Sequence, residues 1–113
     1  MEHFEKIFVA GVIVIKVNLT RSTLNEAKEF RKIVEEEINS GHTNVVIDLS
    51  KCEIIDSTFF GATIMALKMM KSKGSKLKVV EPANPGENIF TSINPLGLFD
   101  LYKTIEDAIK SSV

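Results

Sequence analysis

Asp56, Ser57 and Thr58 stand where a strand pattern gives way to a helix pattern. Side chains of these three types accept hydrogen bonds from the first free N–H groups of a helix. A serine at such a position, after a parallel strand, faces solvent where partners reach an open α/β sheet. The exposed N–H groups and the positive end of the helix also favour an added phosphate. Two interpretations remain open: Ser57 is only part of a helix cap, or it is a modification site.

The other residues whose side chains could take part in catalysis or bind a metal do not form an active site. Cys52 lies between a strand and a helix, where some phosphatases place a thiolate. Their phosphate loop needs an arginine six residues later, but Thr58 stands there, so we predict a buried or half-buried structural cysteine. His3 and His42 have no partner at metal-ligand spacing. We therefore expect no enzyme activity, no metal and no cofactor.

Composition restricts the class of protein. The chain has 113 residues, of which 44% are hydrophobic and 26% charged, as expected for one folded domain over residues 1–113. Its net charge of -1 lacks the basic excess of a nucleic-acid-binding protein. The apolar runs are far shorter than the roughly 20 residues that span a bilayer. We expect no membrane partner, a cytoplasmic location, and a monomer or weak dimer.

The first half of the chain predicts a hairpin, a helix and a buried strand. β-branched runs at residues 7–9 and 12–17 flank Ala10 and Gly11, which favour a tight turn. Thr23 and Glu26 have the spacing of a capping box, and Gly41 ends the predicted helix. Residues 44–49 then read as a buried strand, parallel to the strand before the helix. The predicted core face of the helix consists of Leu24, Ala27, Phe30, Ile33, Val34 and Ile38.

The second half predicts further alternation of helices and strands. A second helix begins at the Asp56 cap and runs to about Lys73, and residues 77–80 form a strand. A short helix at 87–93, a turn or brief strand at 97–101 and a last helix capped by Thr104 follow. The fold class is therefore a small α/β domain with an N-terminal β-hairpin. Its mixed sheet has four to five strands, and its helices pack largely on one face.

The second helix has more apolar surface than one buried stripe requires. Phe60, Ile64 and Leu67 form the predicted core-facing stripe, and Phe59 lies about 100° away around the helix. We therefore predict that the Phe59 ring is exposed and anchors a partner. Two alternatives exist for the remaining apolar residues: neighbouring helices bury them, or they line a partner groove. These residues include Ala62, Ala66, Met69 and Met70.

A recognisable pattern lies in residues 45–50, 55–58, 77–80, 96–99 and 106–108, with Gly61 and Gly74. Together these segments resemble the STAS domain family, and within it the free-standing bacterial anti-sigma factor antagonists. The similarity covers nearly the whole chain, and its most specific part is the strand, the Asp-Ser-Thr cap and the following helix. The family usually has Gly-Leu-Gly where this chain has Phe59, Phe60 and Gly61. It also tends to carry an acidic residue before its first helix, but residues 18–23 contain none.

The resemblance implies a function for the cap. In that family an anti-sigma factor that is itself a kinase phosphorylates the serine after the aspartate, which corresponds to Ser57. The unphosphorylated antagonist binds the anti-sigma factor and frees a sigma factor, and the phosphorylated form dissociates. The alternative is a non-switching STAS scaffold or a ligand-sensing module in a larger assembly, with Ser57 only a cap. The expected partner-binding residues are Asp56, Ser57, Thr58, Phe59, Ala62 and Ala66.

Overall fold

The computed structural model describes residues 3–82 and 100–111. The strands are β1 (Phe4–Val9), β2 (Val12–Val17), β3 (Arg21–Ser22), β4 (Asn44–Asp48), β5 (Ile54–Ile55), β6 (Lys76–Val80) and β7 (Asp100–Tyr102). The helices are α1 (Leu24–Asn39), α2 (Ser57–Ser72) and α3 (Ile105–Lys110). The predicted helix at 87–93 and most of the segment at 97–101 lie outside the described residues.

The main sheet has five strands in the order β1-β2-β4-β6-β7. β1 pairs antiparallel with β2, and the other neighbours pair in parallel. Ala10 and Gly11 have φ angles of 52° and 79° and close the predicted hairpin. Positive φ at both turn residues matches the right-handed twist of the flanking strands. Because all parallel strands point the same way, helix starts collect at their carboxyl ends, and the β1–β2 hairpin lies at the opposite edge.

The two faces of the main sheet are covered by different helices. Ile15 and Ile47 lie in the larger core, which also contains the buried faces of α1 and α2. Val14 and Val46, on the same two strands, lie in a smaller cluster with Ala108 of α3. This separation follows from the strand period of two, which sends successive side chains to opposite faces. Two of the three described helices therefore pack on one face, as the sequence predicted.

Both long helices begin and end at the residues that their sequence patterns indicate. Thr23 caps α1 with the full capping box, in which the Glu26 side chain accepts a hydrogen bond from the Thr23 backbone. Gly41, just beyond α1, has φ of +93°. Asp56 caps α2, and Gly74 follows its end with φ of +69°. These local signals fix the helix boundaries before any tertiary contact is considered.

α3 is attached to the sheet through a buried lysine. Lys78 of β6 donates hydrogen bonds from Nζ to the Ala108 carbonyl at 3.2 Å and to the Ser111 hydroxyl at 2.6 Å. Its ammonium also lies 5.6 Å from the centre of the Tyr102 ring. A cation near the end of a helix interacts favourably with the free carbonyl groups there. Burial lowers the pKa of Lys78, the neighbouring Lys76 ammonium lowers it further, and the Asp100 carboxylate opposes both effects.

Candidate functional site

The candidate site lies where α1 and α2 begin side by side. The short strands β3 and β5 form a separate parallel pair, with Ser22 opposite Ile55. The Asp56 N–H donates to the Ser22 carbonyl at 3.0 Å, which continues this pairing to the first residue after β5. β3 leads into α1, and β5 leads into α2. The pairing therefore brings two helix N-termini together at the carboxyl edge of the fold.

The Asp56 carboxylate connects these two helix starts. Its Oδ1 accepts a hydrogen bond from the Phe59 backbone N–H at 2.8 Å, as expected for the cap of α2. Its Oδ2 accepts from the Leu24 backbone N–H of α1 at 2.9 Å. The sequence predicted the first bond from spacing alone. It gave no signal for the second, because Leu24 and Asp56 are 32 positions apart.

Ser57 and Thr58 are the first two residues of α2, and both are exposed. Within the described part of the chain, the Ser57 hydroxyl donates and accepts no hydrogen bond, so its oxygen is accessible to a reagent or a partner. The positive end of α2 and the nearby start of α1 favour a negative group at this position. The structure thus brings Asp56, Ser57 and Thr58 together at one surface.

Phe59 is buried, so its predicted exposure as a partner anchor is wrong. The side chain is 0% exposed and stacks on Phe30 of α1, with ring centres 4.7 Å apart. Phe30 also contacts Phe4 of β1 at 5.7 Å between ring centres. α2 has two buried sides, because it packs against both the sheet and α1. A residue 100° away from the sheet-facing stripe therefore faces the neighbouring helix rather than solvent.

Ala62 and Ala66 are also turned inward, although they were expected to contact a partner. They are 4% and 3% exposed and lie along the side of α2 that faces α1, beside Val34. Small residues at such positions let two helices approach closely. Of the two alternatives for the apolar surface of α2, burial by a neighbouring helix therefore accounts for these two alanines.

Leu24 is the surface residue that the sequence pattern misplaced. It was expected in the core face of α1, but its side chain is 64% exposed. Leu24 is the first residue of α1 and lies at the mouth of an open groove between the two helices, which Thr58 and Gly61 also line. The groove encloses about 1070 Å³. Because Leu24 is the first residue of α1, no preceding turn of the helix covers its side chain. The periodicity of apolar residues along the helix does not indicate this exposure.

Cys52 lies beneath the site and is buried, as predicted. Its sulfur is 3.2 Å from the Ser22 hydroxyl oxygen, close enough for a hydrogen bond. Burial raises the pKa of the Cys52 thiol to about 11, because the thiolate would lose its hydration there. The thiol is therefore protonated at neutral pH and is not poised to act as a nucleophile.

The two histidines lie close to acidic residues of α1. Nδ1 of His3 is 3.5 Å from Glu29, and Nε2 of His42 is 3.2 Å from Glu37. His42 precedes β4, so it lies at the opposite end of the sheet from the start of α2. Across residues 3–82 and 100–111, no three His, Cys, Asp or Glu side chains form a group able to hold a metal ion. No helix of the same residues is long and apolar enough to cross a membrane.

Comparison with known proteins places this arrangement in a family. A relative from Thermotoga neapolitana, named as a homologue of a candidate anti-sigma factor antagonist, is 27% identical over 103 residues, which are 90% of each chain. The crystal structure of a candidate anti-sigma factor antagonist from Thermotoga maritima has a TM-score of 0.85 and 28% identity. That match covers 96% of this chain and 92% of the other.

More distant proteins share the fold. The anti-sigma factor antagonist SpoIIAA in its unphosphorylated form has a TM-score of 0.77 at 15% identity, with 96% of each chain covered. The Bacillus SpoIIAA in its phosphorylated form has a TM-score of 0.73 at 14% identity, covering 97% of this chain and 99% of the other. The STAS domain matches residues 4–108 of the present sequence. Because that match spans nearly the whole chain, this protein belongs to the STAS domain family.

Proposed function

We propose that this protein is an anti-sigma factor antagonist whose binding is switched by phosphorylation of Ser57. The observation that carries the proposal is the position of Ser57: an exposed hydroxyl in the first residue of α2, beside a second helix start. Its partner is an anti-sigma factor with serine kinase activity, and the reaction takes place in the cytoplasm. The protein itself is the substrate, and the ATP is bound by the partner.

The fold is compatible with both states of such a switch. SpoIIAA, which shares the fold, has been solved in its unphosphorylated and phosphorylated forms. A phosphate at a helix N-terminus meets free N–H groups and the positive end of the helix dipole. It also adds charge of about -1.5 to -2 to the surface, which is repelled by an acidic partner surface and loses hydration in a closely packed contact. Phosphorylation can therefore end binding without unfolding the domain.

The proposed contact surface is centred on the exposed residues of the two helix starts. Ser57 and Thr58 supply hydroxyl groups, and Leu24 supplies an exposed apolar side chain near them. Asp56 contributes negative charge and holds both backbones. Phe59, Ala62 and Ala66 support this surface from within, so their effect on binding is through the packing of α2 on α1.

The groove between α1 and α2 favours one alternative, a ligand-sensing STAS module. The groove is open, and its walls include the charged side chains of Lys28, Arg31, Lys32 and Glu35. In that case Ser57 is a cap, and its hydroxyl is never modified. The same kinase experiment distinguishes the two functions.

The test is incubation of the purified protein with ATP and each candidate anti-sigma factor kinase of its genome, followed by intact-mass measurement. The proposed switch predicts a gain of one phosphate, which Ser57→Ala abolishes and the matched control Thr58→Ala retains. Binding to the same kinase should be present before the phosphate is added and absent afterwards. Absence of phosphate with every candidate, or phosphate mapped to Thr58, contradicts the proposal.

A further inference from the structure

The Asp56 carboxylate holds the backbones of two helices at once, and its two oxygens have different tasks. Oδ1 binds the N–H of Phe59, within its own helix cap. Oδ2 binds the N–H of Leu24, on the other helix. Both bonds have a charged acceptor and lengths below 3 Å, which is typical of strong hydrogen bonds in proteins. A movement of this one carboxylate therefore affects α1 as well as α2.

The other backbone N–H groups in the first turn of α1 donate hydrogen bonds to acceptors of the same helix start. The Asn25 N–H donates to the Thr23 hydroxyl oxygen, and the Glu26 and Ala27 N–H groups donate to the Thr23 carbonyl. These bonds lie within one turn of α1 and do not involve Asp56. Leu24 is thus the residue of this first turn whose N–H depends on the neighbouring helix start.

Phosphorylation of Ser57 would place a group of about -1.5 to -2 charges on the residue next to this carboxylate. Like charges repel, and phosphate oxygens compete well for the N–H groups at a helix start. The short bond to Phe59 lies within one turn of α2, where the helix dipole also holds the carboxylate. The bond to Leu24 reaches across to another element, so repulsion is expected to break it first.

We propose that Asp56 is a positioning residue that transmits the phosphorylation state of Ser57 to the first turn of α1. The inference rests on the proposed function, because it takes Ser57 as the phosphate acceptor. In the unmodified protein Asp56 fixes the Leu24 backbone, which presents the exposed Leu24 side chain in one place. After phosphorylation the carboxylate leaves the Leu24 N–H, and the partner loses an ordered apolar contact in addition to meeting the new charge.

The experiment installs phosphoserine at position 57 during translation, so that it needs no kinase. The matched control carries phosphoserine at Ser72, an exposed residue at the far end of the same helix. Hydrogen exchange of individual amides is then followed by NMR in the full-length chain. We expect Leu24 to exchange about tenfold faster or more, as for loss of one hydrogen bond to a charged group. Asn25 and Phe59 should change by less than about threefold, and the Ser72 control should leave Leu24 unchanged.

A direct measurement is the NMR scalar coupling between the Leu24 nitrogen and the Asp56 carboxylate carbon. It should be present in the unmodified protein and absent with phosphoserine at 57. A merely structural role for Asp56 would leave this coupling intact after phosphorylation. Leu24 exchange that changes by less than about twofold overturns the proposal. Equal acceleration of Leu24 and Phe59 also overturns it, because the α2 cap itself would then have opened.

The Asp56→Asn variant distinguishes the roles of the two carboxylate oxygens in the absence of phosphate. Asparagine keeps a carbonyl oxygen for the Phe59 N–H and is a good helix cap, but its amide nitrogen cannot accept from the Leu24 N–H. We expect fast exchange at Leu24 and normal exchange at Phe59. If no kinase modifies Ser57 but installed phosphoserine frees Leu24, the proposed function fails and the role of Asp56 stands. If kinases modify Ser57 and Leu24 remains protected, the role of Asp56 fails alone.

Discussion

Two nearly equally exposed apolar residues mark opposite edges of the molecule. Leu24 is 64% exposed at the carboxyl edge, and Phe8 is 63% exposed near the β1–β2 hairpin at the other edge. Phe8 lies on an edge strand with its ring 5.9 Å from that of His42. Leu24 has its backbone fixed by Asp56 and lines the same groove as Thr58. Exposure alone therefore does not identify a partner surface, and our proposal for Leu24 rests on its fixed backbone beside the start of α2.

The polar groups of the two edges differ in the same way. At the hairpin edge, Glu37 is nearly buried and lies 2.9 Å from the Lys6 ammonium and 3.2 Å from His42. These contacts are internal and connect β1 and the segment before β4 to α1. At the carboxyl edge, the Ser57 hydroxyl points to solvent and has no hydrogen-bond partner within the described residues. Polar groups at the first edge connect elements of the fold, whereas this hydroxyl is exposed and connects none of the described elements.

The largest expected effect on binding comes from Ser57 itself. Ser57→Ala should still bind the anti-sigma factor, with affinity reduced by about tenfold at most because one contact hydroxyl is lost, but it should accept no phosphate. Ser57→Glu should weaken that binding by about a hundredfold or more, because a charge is placed in a closely packed contact. A titration with both variants measures this, with Ser72→Glu as the charge-matched control. Equal weakening by the control would show that net charge, and not the carboxyl edge, determines binding.

The next effect tests the buried side of the carboxyl edge. Phe59→Ala should lower the free energy of unfolding by about 3 to 5 kcal/mol, because it leaves a cavity against Phe30. The milder Phe59→Leu keeps the protein folded if the alanine variant does not fold. Phe8→Ala, at the other edge, should change stability by less than about 0.5 kcal/mol. Chemical denaturation compares them, and a small loss for both Phe59 variants would contradict the stacked arrangement.

The reactivity of the Cys52 thiol tests whether the interior at the carboxyl edge is closed to solvent. The pKa of its thiol is raised from 9.0 to about 11, so at pH 8 the thiolate fraction is about a hundredfold lower than in the unfolded chain. Reaction with a thiol reagent should be at least that much slower in the folded protein than in denaturant. The rate should rise with pH toward 11. Equal rates in both states would mean that the Cys52 thiol is accessible to the reagent in the folded protein.

The smallest expected effect on binding directly compares the two exposed residues, Leu24 and Phe8. Leu24→Ala should weaken binding of the anti-sigma factor by about tenfold, since it removes an apolar contact at the edge of the interface. Phe8→Ala should leave the affinity unchanged, although it removes a larger exposed side chain. Both variants should unfold at the same denaturant concentration as the parent protein, within error. Weakening by Phe8→Ala instead would move the partner surface to the hairpin edge.

Most of the fold could be predicted because its signals are local. The turn at Ala10 and Gly11, the capping box of Thr23 and the Asp56 cap each occupy a few consecutive residues. Parallel pairing of β2 with β4 follows from the length of the helical connection between them. The β3–β5 pair was missed, because two-residue strands have no hydrophobic period that a pattern could reveal.

The features of the candidate site also fall into those set by local sequence and those set by tertiary packing. The sequence by itself determined that Asp56 caps α2 and that Ser57 begins it at the surface, because capping depends on backbone geometry within one helical turn. Only the tertiary structure decided that Phe59 is buried, that Leu24 is exposed and that one carboxylate holds both helix starts. Those outcomes depend on how α1 lies against α2, through Phe30 stacked on Phe59 and Leu24 bound to Asp56. Residues about thirty positions apart meet there, and no local pattern encodes that distance.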